Sequence, residues 1–139
     1  MSRRRALLPP TVFLVAAGLS GCQQSPPAVT LRGAQHSVHA DPTRWCPDRG
    51  KDCTSHRPAV PVLRIRDRAD ITVDVGATVA KRPWIVLVEG GSASPLQRGR
   101  TYRLVAVHAP VTVEVVTVDT DGSRVLQRDR WVFKVEPAQ

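Results

Sequence analysis

The side chains with chemical potential are concentrated in the first half of the chain. Cys46 and Cys53 flank a short segment that also holds Trp45, and His36, His39 and His56 lie on either side of it. Imidazole and thiolate together are a sensible ligand set for zinc or copper, so an extracytoplasmic metal carrier or sensor is one reading. The other is that the two cysteines form a disulfide and the histidines are solvated. The spacing matches no standard zinc site, which favours the disulfide. A copper centre with a weak axial methionine is excluded, because Met1 is the only methionine. Arg64, Arg66 and Arg68 form the other constellation: if their strand continues, residues two apart share a face opposite Leu63 and Ile65. Such a stripe suits acidic headgroups or anionic wall polymers, or it is a solvated face balanced by Asp67, Asp70 and Asp74. No Gly-x-Ser-x-Gly elbow is present, and Gly90-Gly91-Ser92 reads as a hairpin turn. No catalytic residue and no cofactor are expected, and His108 beside Ala109-Pro110 reads as a turn residue.

What positions these groups begins with the leader. Arg3, Arg4 and Arg5 precede an apolar stretch from Ala6 to Leu19, then Leu19-Ser20-Gly21-Cys22. A positive start, a short apolar run and small residues at the cut make a secretory signal over residues 1–21. The run is short for a membrane span, and Pro9-Pro10 would disturb a helix there. A cysteine directly after the small pair is similar to the lipobox of bacterial lipoproteins, in which the thiol carries a diacylglyceryl group. Two acyl chains hold a protein at a membrane where one gives only marginal attachment. Cys22 is therefore the expected lipidation site, and the extracytoplasmic face of the membrane the expected location. Ser2-Arg3-Arg4 leaves both the general and the twin-arginine export routes open.

Export supports pairing of the remaining cysteines, since that compartment is oxidising. The net charge of +8 overstates the mature protein, because three arginines leave with the signal. Nucleic acid is discounted: the location is wrong, and an aromatic content of 4% offers few stacking platforms.

Gln23 to Pro27 has two prolines and no apolar pattern, so residues 22–27 read as a lipid-anchored tether and 28–139 as one domain. There the chain alternates with period two instead of showing a helical stripe. Strands are predicted at Val29–Arg32, Ser37–Ala40, Val60–Arg66, Ile71–Val75, Trp84–Glu89, Thr101–Val107, Val111–Val118, Arg124–Arg128 and Arg130–Val135. Trp84 to Val88 is apolar throughout, as in a central strand covered on both sides. The phase change between Val115 and Val116 predicts a bulge or a strand passing between sheets. Asp41 to Pro58 reads as a disulfide-tied loop and a candidate surface site, with Trp45 as a lid on the core. The architecture that follows is an all-β, immunoglobulin-like β-sandwich of short antiparallel strands.

The order of features resembles one family, the actinobacterial lipoproteins of the uncharacterised domain family numbered 2771. It carries the lipobox at Leu19–Cys22, a Val29-Thr30-Leu31 strand with a hairpin to Ser37-Val38, and Trp45-Cys46 to Cys53. The Asp70–Val75 strand, Pro83 to Gly90, Thr101-Tyr102-Arg103 and Trp131 to Val135 follow in the same order. The resemblance implies a lipid-anchored envelope protein without an assigned catalytic residue, which fits a non-catalytic binding or assembly module. Its expected partners are the membrane, through lipid on Cys22, and an envelope protein or anionic wall polymer.

Overall fold

A computed structural model of the chain describes residues 25–47 and 52–139; the signal segment and Cys22 lie outside the described residues. The strands are β1 (Val29–Arg32), β2 (Ser37–Ala40), β3 (Arg44–Trp45), β4 (Thr54–Ser55), β5 (Val62–Ile65) and β6 (Ala69–Asp74). After a single helical turn, α1 (Gly76–Val79), come β7 (Trp84–Val88), β8 (Thr101–Val107), β9 (Val111–Asp121) and β10 (Arg124–Pro137). They form two sheets that pack as a sandwich, one in the order β2-β1-β6-β8 and the other β4-β3-β10-β9-β7, with β5 also on β10. All pairs are antiparallel except β5 with β10, which is parallel. That exception departs from the expected wholly antiparallel sheets.

The core lies between the sheets, as the alternation requires. Leu31, Ile71 and Val73 come from the smaller sheet and meet Val113, Val115, Trp131 and Phe133 of the larger, all fully buried. Each buried indole finds a backbone partner across the interior. Trp131 Nε1 donates to the Pro27 carbonyl at 3.0 Å and Trp84 Nε1 to that of Gly99 at 2.8 Å. An apolar ring can thus fill the core without stranding its N–H.

Three expectations need correction. Trp84–Val88 is not a central strand: β7 ends its sheet, with β9 on one side. Its apolar run is explained by the returning chain, which covers the edge. Gln97 and Trp84 exchange backbone bonds at 2.7 and 3.0 Å, and Ser94 N–H donates to Val86 O at 2.8 Å. An edge masked in this way does not need charged residues to stay single. The second correction joins Arg124–Arg128 and Arg130–Val135 into one strand, β10, whose register slips against β9 between Gln127 and Arg130. The bulge inferred from the valine phase is real but sits on the partner strand, opposite Thr117. The third is that the Asp41–Pro58 segment is not all loop, because β3 and β4 pair within it.

Register also sorts the fold into two ends. At one lie the start of β1, the end of β6, the start of β7 and the Arg44–Arg130 pair. This is the tether end, since Pro27 is fastened there to Trp131. At the opposite, far end are the β1–β2 turn, the turn between β5 and β6, and Pro137 beside Ile65. The β9–β10 pair continues past the tether end as a two-stranded ribbon to a turn at Gly122, whose φ of 60 suits the first central position of a two-residue hairpin.

Candidate functional site

Cys46 and Cys53 are joined in a disulfide that closes the β3–β4 hairpin. The hairpin is held to the sandwich by one buried carboxylate. Asp129 has no exposed surface, and its two oxygens accept from Cys46 N–H at 2.7 Å, the Thr117 hydroxyl at 2.6 Å and the Arg82 guanidinium at 2.8 Å. Arg82 also donates to the carbonyls of Cys46 and Pro47, at 2.8 and 2.9 Å, and lies over the Trp45 ring at 5.4 Å. Trp45 in turn meets Trp131 edge-on at 6.3 Å between ring centres. Trp45 is thus the expected lid, clamped between a core indole and a cation. This is a structural junction: each donor has an acceptor, and no buried side-chain polar atom among the described residues lacks a partner.

The bulge makes the junction possible. By placing Arg128 and Asp129 opposite Thr117 it lets the Asp129 backbone N–H reach the Thr117 hydroxyl at 3.0 Å while its carboxylate accepts the same hydroxyl's proton. Sequence reasoning missed Asp129 and Arg82. The signal was there, since Asp129 is in phase with Trp131, Phe133 and Val135 and so extends the buried face by one acid. An acid in that phase calls for a cation.

The histidines are not brought together. His36 is in the β1–β2 turn, His39 on β2 bonds the Thr30 hydroxyl at 2.8 Å, and His56 follows β4 and bonds Thr54 at 3.0 Å. No three His, Cys, Asp or Glu side chains among the described residues are grouped as a metal would need. His108 pairs with Asp67 at 3.2 Å on the exposed far end.

The arginine stripe is also changed. β5 ends at Ile65, and the chain turns back with Ala69 N–H on the Arg66 carbonyl at 3.1 Å and Arg68 at a φ of 56. Arg68 therefore leaves the strand face that would have aligned it with the other two. Arg64 pairs with Glu136 at 3.3 Å, and Arg64 and Arg66 line a shallow hollow with His36 and Gln139. That hollow is at the far end. Along β10, Trp131 and Pro137 are six residues apart, about 20 Å of strand.

Two further carboxylates organise the smaller sheet. Asp74 accepts from Arg32 and Arg100, both at 3.0 Å, and from Gly76 N–H at 2.9 Å, where a φ of +72 requires glycine. Burial works against the charged carboxylate, but the Gly76 N–H and the two guanidinium groups outweigh it and hold the carboxyl below its usual range. Asp70 is held low as well, by Ala106 N–H and then by Arg103. It faces the bulge of edge strand β8, where Ala106 has a φ of 52. A carboxyl lowered on folding contributes stability that is complete above the unfolded value of about 3.9 and is lost as pH falls through the folded value. Acid titration of the folded protein should therefore lower the unfolding midpoint from about pH 4 downward. Asp74→Asn should flatten that fall, and an unchanged profile would show that Asp74 carries none of it.

No family model, no curated protein and no solved structure matches the chain.

Proposed function

We propose that this chain is a lipid-anchored protein of the bacterial cell envelope, held at the extracytoplasmic face by acyl chains on Cys22, whose sandwich is a non-catalytic binding or assembly module. The observation that carries the reading is the bond from Trp131 Nε1 to Pro27 O. It fastens the chain to the core just before β1, so that only Gln23 to Pro26 separate the lipobox cysteine from the anchored fold. This arrangement suits a lipoprotein: a short polar tether running directly into a domain that is stable outside the cell. The disulfide supports it, being the form expected of thiols in an oxidising compartment. The order of motifs similar to family 2771 points the same way.

The far end is the better candidate for a partner. Arg64 and Arg66 lie at the end of the fold opposite the tether, which favours an anionic wall polymer or an acidic protein surface over the headgroups beneath the domain. The test of the anchor is Cys22→Ser. The variant should remain uncut, or be processed and released without lipid; mature, membrane-bound protein carrying Ser at this position would overturn the assignment.

A further inference from the structure

Of the six large apolar side chains exposed on the described residues, Leu96, Val125 and Leu126 lie at the tether end, 47%, 64% and 41% exposed. Val125 and Leu126 are on the ribbon that extends beyond the sandwich. Pairing of Asp119 with Leu126, Thr120 with Val125 and Asp121 with Arg124 gives the ribbon two unlike sides. One carries both aspartates, of which Asp119 is paired with Arg128 at 3.4 Å. The other carries Thr120 and Val125 and has no acid. Beside the base of the ribbon, Val118, Asp119 and Thr120 share a shallow hollow with Leu96, Lys81 and Arg98; the last two are exposed and basic, and the one acid there, Asp119, is the one paired with Arg128.

Lengths identify what meets this side. Five residue steps from Cys22 to Pro27 span at most about 18 Å. The ribbon runs seven residues from Trp131 to Arg124, about 20 Å allowing for the bulge. A projection about as long as the fully extended tether, leaving the same end of the fold, is long enough to reach the surface in which the anchor is embedded. From this geometry we infer that the β9–β10 ribbon is a second membrane contact, with Val125 and Leu96 entering the interface and Lys81 and Arg98 among the headgroups. The inference rests on the lipid anchor at Cys22. Apolar side chains flanked by cations suit that boundary, where basic residues are drawn to an anionic leaflet. Two weak contacts and a short tether would fix the orientation of the domain and turn the Arg64–Arg66 hollow outward.

The test uses the lipidated protein, purified from membranes and reconstituted into vesicles of mixed anionic and zwitterionic phospholipid. With Cys22 acylated and Cys46–Cys53 closed, Val125→Cys supplies one thiol for an environment-sensitive fluorophore, and Val105→Cys supplies a far-end control. The label at position 125 should shift to the blue and be quenched by nitroxide-bearing lipid, while that at 105 is not. If the protein floats with the vesicles but both labels remain water-exposed, the ribbon contact is overturned and the anchor stands. Shielding at 125 without quenching by lipid would also overturn it, in favour of a protein covering the ribbon. Protein that fails to float with the vesicles would overturn the anchor and the ribbon contact together.

Discussion

Asp129→Ala should lower the free energy of unfolding by about 3–5 kcal/mol, the usual cost of removing one partner from a buried ion pair. The substitution removes the acceptor for three donors at once: Cys46 N–H, the Thr117 hydroxyl and Arg82. Arg82, with a side chain only 26% exposed, keeps its carbonyl bonds but loses its counter-charge. A loss of this size is a large part of the roughly 5–15 kcal/mol that holds a domain together, and should lower the thermal midpoint by about 10 °C or more. Asp129→Asn retains one acceptor oxygen and should cost less. Asp119→Ala is the control, because its ion pair with Arg128 is long and partly solvated and such pairs contribute about 0–1 kcal/mol. Equal small losses in Asp129→Ala and Asp119→Ala, measured by urea unfolding, would show that the junction does not hold the β3–β4 hairpin.

The strands that the sequence states most openly are those whose burial is decided by their own side chains. β1, β2 and β8 have the predicted bounds, and β6 begins two residues earlier than its alternating Ile71, Val73 and Val75 indicate. Where structure depends on a neighbour, the sequence is silent. Trp84–Val88 looks central because the returning segment from Ala93 to Gln97 shields its edge, and nothing within the run reports that. The bulge was readable as a broken valine phase in β9, but which strand absorbs the extra residue is a property of the pair. The two-residue strands β3 and β4 are too short for any period to show.

The same division applies to the candidate site. The Cys46–Cys53 pair follows from compartment and count, and the structure contains it. The arginine stripe assumed that β5 would continue. No residue type forbids that, and only the left-handed backbone at Arg68 and the turn onto β6 end it. Periodicity could have revealed Asp129 but not Arg82, which reaches the junction from the connection between α1 and β7 and whose role depends on the crossing of the chain between sheets.

Replacing Cys46 and Cys53 together with Ala should cost about 2.5 kcal/mol, the chain-entropy estimate for so short a loop. Mass spectrometry of the unreduced wild type should first show a peptide that splits only on reduction, whereas two alkylatable thiols would revive the metal reading. The size of the stability loss depends on what else holds the loop. Arg44 and Trp45 pair with Ser55 and Thr54, and His56 N–H bonds Thr43 O at 2.8 Å, so the hairpin has supports of its own. Above Cys46, its backbone N–H and carbonyl are fixed by Asp129 and Arg82. The disulfide and the Asp129 junction therefore secure the same segment from two sides, and once one is lost the segment can leave with less to lose at the other. In a double-mutant cycle the combined loss of Asp129→Ala with the two alanines should fall short of the sum by about 1 kcal/mol, within the range seen for residues sharing a network. Strict additivity would mean that the hairpin stays docked after either change, and that Trp45 against Trp131 holds it in place.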